Sequence, residues 1–520
     1  MQFFEFFQTI PTLSIIVFLP AAAGLLLMLI PGDKEKTIYR IALGVGLVTF
    51  LLTLAVYFGF DLAAANAANA AHEVLYQFEE QYHWLPALGI SLHIGVDGIS
   101  APLVMLTGIV MFTGVIISQR IEERKREFFA FLFILATGVF GVFVSLDMFI
   151  LFFFYEIAVF PMYLLIAIWG WKQTREYAAM KLTLYLVIGS VVALVGALAM
   201  YFQAGLGTFD MLALEGAGFS VEFQTLWFPF VFIGFAILGG IFPFHNWSPD
   251  GHVAAPTAVS MFHAGVLMKL GAFAALRVGI MLLPEGAKVH LPWIILLSLV
   301  NVVYGAYIAM VQTDFKYVIG FSSVSHMGLV VMGFSTLNHD GMVGAGVQMV
   351  SHGIMTALFF AVVGMIYDQV HTREISKLGG MVKYIPTVTI AFIIGGLVSM
   401  GMPGFSGFIA EFPIFMGVWG EKPLWNPPAW AGAGYKNWIA IVAAISIVIT
   451  AAYIIRLIRR VFFGEFPKEF EGHMKDVNPS EKIALLVLCV VMVGIGIFPS
   501  VIVPMVETGV DRILLLLGGI

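Results

Sequence analysis

Met402-Pro403-Gly404-Phe405-Ser406-Gly407-Phe408-Ile409-Ala410-Glu411-Phe412-Pro413 lies inside an apolar run that extends from 386 to 418. A run of that length is long enough to cross a bilayer. The Pro-Gly-Phe-Ser-Gly stretch at its centre would break a helix mid-membrane. Irregular backbone at that depth is tolerated only where protein buries it or where it lines a wet cavity. A packing kink would account for the glycines, but not for Glu411, a carboxylate set one turn beyond the break. The stretch predicts an interrupted membrane helix with a buried acid on it.

A second interruption of the same kind stands earlier in the chain, at Gly239-Gly240 and then Pro243-Phe244-His245-Asn246-Trp247-Ser248-Pro249. Broken spans in corresponding places of two halves point to an inverted-repeat transporter. Apolar runs between polar breaks number fourteen: 10–30, 38–60, 96–118, 128–145, 147–170, 177–203, 226–246, 255–282, 291–312, 316–335, 341–368, 386–418, 437–459 and 482–504. The interrupted runs are the seventh and twelfth, each the fourth member of a set of five. The expected fold is an all-α polytopic membrane protein of about 14 transmembrane helices, with two inverted five-helix repeats and broken helices 7 and 12. Residues 1–126 would hold spans 1–3, 127–282 the first repeat, 283–460 the second, and 461–520 a cytoplasmic loop and span 14.

Composition agrees. Of 520 residues, 60% are apolar and 11% charged, whereas soluble domains run about 45–50% and about 25%. Such a chain cannot cover a water-exposed surface. With 14% aromatics and a net charge of −6, disorder and nucleic-acid binding are excluded as well. The single cysteine, Cys489, rules out a disulfide framework, a cysteine zinc site and an iron–sulfur cluster held by this chain alone. The runs are too long and continuous for a β-barrel. No basic residue precedes the first run, so it does not read as a cleavable signal. Loops after odd-numbered spans carry twenty Lys and Arg, and the opposite face carries five. By the positive-inside rule both termini face away from the cytoplasm.

Charges at membrane depth cost about 2.5–3.5 kcal/mol on insertion scales, so each is a functional candidate. Glu156 follows Phe152-Phe153-Phe154-Tyr155 in span 5, and Pro161 frees the Ile157 carbonyl beside it. Lys269 is the one lysine at mid-membrane depth, in Ala264-Gly265-Val266-Leu267-Met268-Lys269. Burial tunes a lysine's proton affinity strongly, which suits a group that takes and releases protons. The competing reading is a structural ion pair, and a relay needs such pairing too. In span 10, Ser322 and Ser323 share a helix face with His326. In span 11, Gln348, His352 and Thr356 form one stripe. Histidine suits proton transfer because it titrates near neutrality. No H-E-x-x-H, phosphate loop or dinucleotide fingerprint is present.

At these residues the chain resembles the antiporter-like membrane subunits of the proton-pumping NADH:quinone oxidoreductase, complex I, and subunit M in particular. The resemblance covers nearly the whole chain. It is strongest at Asp147 to Met162, Pro243 to Arg277, Gln312 to Gly328 (QTDFKYVIGFSSVSHMG), His371 to Gly380 and Gly401 to Phe412 (GMPGFSGFIAEF). It implies a proton relay of Glu156, Lys269, His326, His352 and Glu411. It also implies a translocase subunit without a redox site, with NADH, flavin, iron–sulfur clusters and quinone in partner subunits of the membrane-embedded assembly. One residue departs from the pattern. Where the family has a lysine, seven residues before the Pro-Phe-His histidine, this chain has Leu238, and Gly240 replaces the proline two residues later. The usual partner of Glu156 is therefore missing. His245, just past the break, is a candidate substitute that would approach Glu156 or Lys269. His263 is the other candidate, although on an unbroken helix six residues place it about 240° from Lys269. A subunit of a multi-subunit cation/proton antiporter and the membrane arm of an ion-translocating hydrogenase are the alternative functions, and a non-conducting scaffold is the bland one.

Overall fold

A computed structural model of the protein describes residues 2–420, 423–428, 431–432, 434–472 and 474–518. Lys422, one of the five basic residues of the sparsely charged face, lies outside the described residues. The helices that matter are α1 (Thr12–Met28), α2 (Glu35–Phe58), α3 (Ser100–Ile117), α4 (Lys125–Val144), α5 (Met148–Trp169), α6 (Arg175–Ala204), α7 (Val221–Leu238), α8 (Trp247–Ala254), α9 (Thr257–Ile280), α10 (Pro284–Val311), α11 (Phe315–Ser335), α12 (His339–Val370), α13 (Pro386–Ser399), α14 (Ser406–Trp419), α15 (Tyr435–Phe462), α16 (Pro479–Ile497) and α17 (Val503–Leu516). Among the described residues, 12 helices are long and apolar enough to cross a membrane, and α1, α13 and α14 are shorter apolar helices. The protein is a mostly helical, multi-pass membrane protein, compatible with the fourteen crossings expected.

Loop pairing fits the same count. Arg120 meets Glu481 at 3.0 Å, Lys125 meets Glu35 at 2.9 Å and Arg373 meets Asp314 at 3.2 Å, all among the loops and helix ends of the basic side. His93–Asp210 at 2.6 Å and Arg512–Glu215 at 2.6 Å join loops of the opposite end. Within the bundle, α9 and α12 are enclosed completely, while α2, α6 and α15 leave most of their surface open. The open surfaces are apolar: Leu184, Ile188 and Val191 on α6 are each more than half exposed, which is stable only against lipid or another apolar subunit.

Both expected interruptions are present. Between α7 and α8, Gly240 turns the chain at φ +76. The freed groups are met by Asn301 of α10, whose Oδ1 accepts from Phe242 N at 2.5 Å and whose Nδ2 donates to Gly240 O at 2.7 Å. Between α13 and α14, Gly401 adopts φ +63, and a Cβ there would lie 2.9 Å from Glu411 Oε2. Only glycine satisfies both the left-handed backbone and that approach.

Three local features depart from a plain bundle of continuous helices. Within the Ala/Asn run 61–71, Leu62–Ala70 is a short helix capped by Asp61, whose Oδ1 accepts from Ala63 N and Ala64 N. An antiparallel hairpin, β1 (Gln77–Leu85) and β2 (Ile90–Val96), follows it and covers the end opposite the basic loops. And α9 is not a continuous α-helix, because π-helical turns occupy His263–Leu267 and Ala275–Ile280.

Candidate functional site

Four helices bring Lys269, His352, His326 and Glu411 into one line. Lys269 on α9 donates from Nζ to the Ala264 carbonyl, within the first π-helical turn, and stands 2.8 Å from His352 Nδ1 on α12. The Ala264 carbonyl of that π turn is the amine's second contact; π turns recur at functional sites. The His352 and His326 rings lie 5.4 Å apart, and His326 Nδ1 on α11 is 3.1 Å from Glu411 Oε1 on α14. Gln348, one turn before His352, reaches both His326 Nδ1 and Glu411 Oε1 at 3.3 Å. All four principal side chains are at most 3% exposed.

Such a row holds protons only by passing them along. A Lys269–His352 contact needs one lone pair and one N–H between the two nitrogens, so a proton on either group can shift to the other. His326 has a partner on each side: the Glu411 carboxylate at Nδ1, and the Ser399 hydroxyl at Nε2, 3.2 Å away at the end of α13. His352 Nε2 and Gln348 Oε1 have no hydrogen-bond partner among the described residues. An orphaned buried polar atom costs about 1–3 kcal/mol, and here two occur beside the row. Thr356, placed on the same stripe by the sequence, bonds its own helix carbonyl at His352 instead.

Toward the basic end the row is extended by residues the sequence reading passed over. A cavity of about 480 Å³ opens there between Trp169, Trp171, Ala255, Asp368 and Arg373, with Lys316 on its inner wall. Lys316 is 6% exposed and donates to the Ala255 carbonyl at 2.6 Å. Phe360 lies between it and His252, 5.9 Å from the Lys316 amine and 5.2 Å from the His252 ring. His252 in turn packs 4.0 Å from His263 and bonds Ser248 at 3.0 Å. The Ser248 and Ser323 hydroxyls both reach the Met268 sulfur, at 3.4 and 3.5 Å. In the sequence Lys316 is one of the twenty basic residues counted with the loops after odd-numbered spans; the structure places it in the first turn of α11, where Asp314 accepts from Lys316 N and Tyr317 N.

The other candidates do not join the row. Glu156 faces outward on α5, exposed with Phe153 and Phe160 on one stripe, and makes no hydrogen bond or ion pair among the described residues. Hydropathy places Glu156 at membrane depth, and the structure shows which way it faces there. Leu238 is fully buried at the end of α7. His245 does not bridge Glu156 and Lys269; it stacks on Phe242 and meets Tyr304 of α10 at 5.3 Å, with both ring nitrogens unpartnered among the described residues. His263 stacks on Trp247 of α8 at 5.2 Å and packs on His252, and makes no hydrogen bond to Lys269 among the described residues. Among the described residues, no group of three or more His, Cys, Asp or Glu side chains is placed to hold a metal.

Broken helices around an enclosed line of titratable groups define a membrane protein of the ion-translocating kind. Residues 145–429 match the family model described as "NADH:quinone oxidoreductase/Mrp antiporter, TM". The NAD(P)H-quinone oxidoreductase chain 4 3 of Trichormus variabilis is 34% identical over 95% of this chain and 89% of its own length. A chain of respiratory complex I from Thermus thermophilus superimposes with a TM-score of 0.84 at 25% identity, over 98% of this chain and 100% of that one. A chain of the Mrp complex from Dietzia has the same fold, with a TM-score of 0.79 at 19% identity over 98% and 99%. The chain belongs to the NADH:quinone oxidoreductase/Mrp antiporter transmembrane family.

Proposed function

We propose that this chain is the proton-translocating membrane subunit of a complex I-type NADH (or related donor):quinone oxidoreductase. Protons enter at Lys316 and His252 and pass along Lys269, His352, His326 and Glu411, driven by quinone reduction in other subunits. The observation that carries the reading is the enclosed row from Lys269 to Glu411, which crosses from α9 of the first expected repeat to α14 of the second. The assignment to a translocase of the EC 7.1.1 type, with NADH, flavin, iron–sulfur clusters and quinone held by partner subunits, rests on the relatives named NAD(P)H-quinone oxidoreductase chain 4. The charge bias of the loops supports a prokaryotic inner membrane with both termini on the non-cytoplasmic side. Glu156, at the lateral surface, belongs in this reading to the contact with a neighbouring membrane subunit.

Glu411→Gln tests the proposal. The amide keeps the shape beside the Gly401 turn and loses the titrating group. The purified mutant assembly in liposomes is expected to lose most redox-coupled pumping while remaining intact. Pumping at the wild-type proton-to-electron ratio would overturn the assignment.

A further inference from the structure

The basic end carries a second concave site, unrelated to the row. Arg456, Arg459 and Arg460, at the end of α15, wall a cavity of about 600 Å³ together with Ile455, Phe463 and Glu465. Elsewhere on this end Arg120, Lys181, Arg373 and Lys482 each meet a carboxylate. This trio does not. Arg456 donates only to the Gln312 carbonyl, at 2.9 Å, and its Nε is buried without a partner among the described residues. Arg459 and Arg460 are exposed and make no hydrogen bond or ion pair among the described residues. All three line one cavity at the π-helical end of α15, so like charges gather with a single carboxylate, Glu465, on its wall.

What they face is set by the rest of α15. Ile441, Ile445, Val448 and Ile455 are each more than half exposed, and their spacing of three, four and seven draws one stripe that ends at Arg459. At 1.5 Å per residue the stripe from Ile441 to Arg459 is about 27 Å long, close to the roughly 30 Å of a bilayer's hydrocarbon core. The part of the track next to the arginines, from Val448 to Arg459, is about 17 Å long, the depth of one leaflet of that core, and a leaflet-deep apolar track ending in unpaired arginines matches one class of molecule. We infer that α15 binds an anionic phospholipid, with its phosphate held by Arg456, Arg459 and Arg460 and its acyl chains laid along Ile455, Val448 and Ile445. Guanidinium forks suit phosphate oxygens in a way that amines do not, and basic pockets at this depth are fitted to acidic headgroups.

The test uses the assembled complex in phosphatidylcholine vesicles carrying a trace of photoactivatable phosphatidylglycerol or, in parallel, photoactivatable phosphatidylcholine. Cross-links on the 441–463 segment are counted by mass spectrometry. Phosphatidylglycerol is expected to label the segment about fivefold more than phosphatidylcholine, the factor that a preference near 1 kcal/mol gives. In R459Q/R460Q the excess is expected to fall to one with phosphatidylcholine labelling unchanged, and in R459K/R460K a reduced excess is expected to remain. Equal labelling by the two lipids in the wild type, or an excess that survives R459Q/R460Q, would overturn the inference. So would an α15 that neither lipid labels, since a protein neighbour would then cover the stripe.

Discussion

The two broken helices solve the same backbone problem with different side chains. In the first, between α7 and α8, the freed amide of Phe242 and carbonyl of Gly240 are both taken up by the Asn301 side chain, and the residue before the break is the buried Leu238. In the second, between α13 and α14, the turn closes on its own backbone, with Met402 N donating to Leu397 O at 3.1 Å and Phe405 N to Met402 O at 3.2 Å. No side chain is spent on the second turn, so Glu411 is left to pair with His326. A break alone therefore does not make a proton site. What makes one is a titratable group beside it with an unshared partner, and only the second break has that.

The largest effect should come from cutting the row where the two halves join. Lys269→Met removes the amine that touches His352 and keeps a chain of similar length. Loss of a positioned proton-transfer group costs about 10²–10⁴-fold in rate. At least a tenfold loss of pumping is expected, measured as proton uptake per electron in liposomes with the assembly verified intact. Full uptake at full quinone reductase activity would reduce the row to a structural ion pair.

Glu156→Gln sharpens the contrast. Glu156 is exposed and without a partner among the described residues, so its loss is expected to cost no more than about fivefold, the scale of an exposed pair. An effect as large as that of Lys269→Met would mean that a neighbouring subunit completes a second row through Glu156, and the two halves would then be equivalent after all.

The breaks were legible because proline and glycine inside an apolar run have few other meanings. His326, His352 and Gln348 were legible because polar residues four apart must share a face. The rest depends on information that one segment does not contain. Whether Glu156 faces lipid or protein is decided by which helices pack on α5. The π turn at His263–Leu267 has no local marker, and it shifted the helical phase on which the relation of His263 to Lys269 was reasoned. Lys316 was counted with the basic loops because it stands at the very start of its span, and only the packing of α11 shows it buried. The Leu62–Ala70 helix, by contrast, had its signal in plain view: Asp61 followed by alanines.

Asn301→Ala probes the first break as a purely structural element. It would leave the Phe242 amide and Gly240 carbonyl unmet, at about 1–3 kcal/mol for each. A loss of at least about 2 kcal/mol is expected, seen as a lower unfolding temperature of the assembled complex. Leu238→Met, a volume-conserving change in the same place, should cost less than about 1.5 kcal/mol and leave pumping unchanged. If Asn301→Ala instead abolished pumping without touching stability, Asn301 would be part of a proton path and the contrast between the breaks would fail.

The smallest effect lies outside the membrane, where a clasp grips the first half alone. The β1–β2 hairpin is tied down by His93, whose Nδ1 is 2.6 Å from Asp210 and Nε2 2.8 Å from Glu79. Ser91 N also donates to Asp147 Oδ2 at 3.2 Å, and Leu146 N to His93 O at 2.8 Å. Burial pulls the His93 ring toward neutrality, but its hydrogen bonds to Asp210 and Glu79 outweigh that and hold its pKa above the ordinary value. Burial likewise works against the Asp210 carboxylate, yet the His93 bond and backbone amides bring its pKa below the usual range. The signs follow by linkage. The His93 contribution is fully present below the unfolded histidine value of about 6.5 and is lost as pH rises through the higher folded value. The Asp210 contribution is present above the unfolded aspartate value of about 3.9 and is lost as pH falls through the lower folded one. Hydrogen exchange of the hairpin amides, corrected for intrinsic rates, should therefore show protection that falls as pH is raised from 6 to 9. His93→Ala should remove that fall while pumping through the second half is unaffected. Protection that stays level across this range in the wild type would mean that His93 holds the hairpin as a neutral ring, and the clasp would then carry no pH dependence of its own.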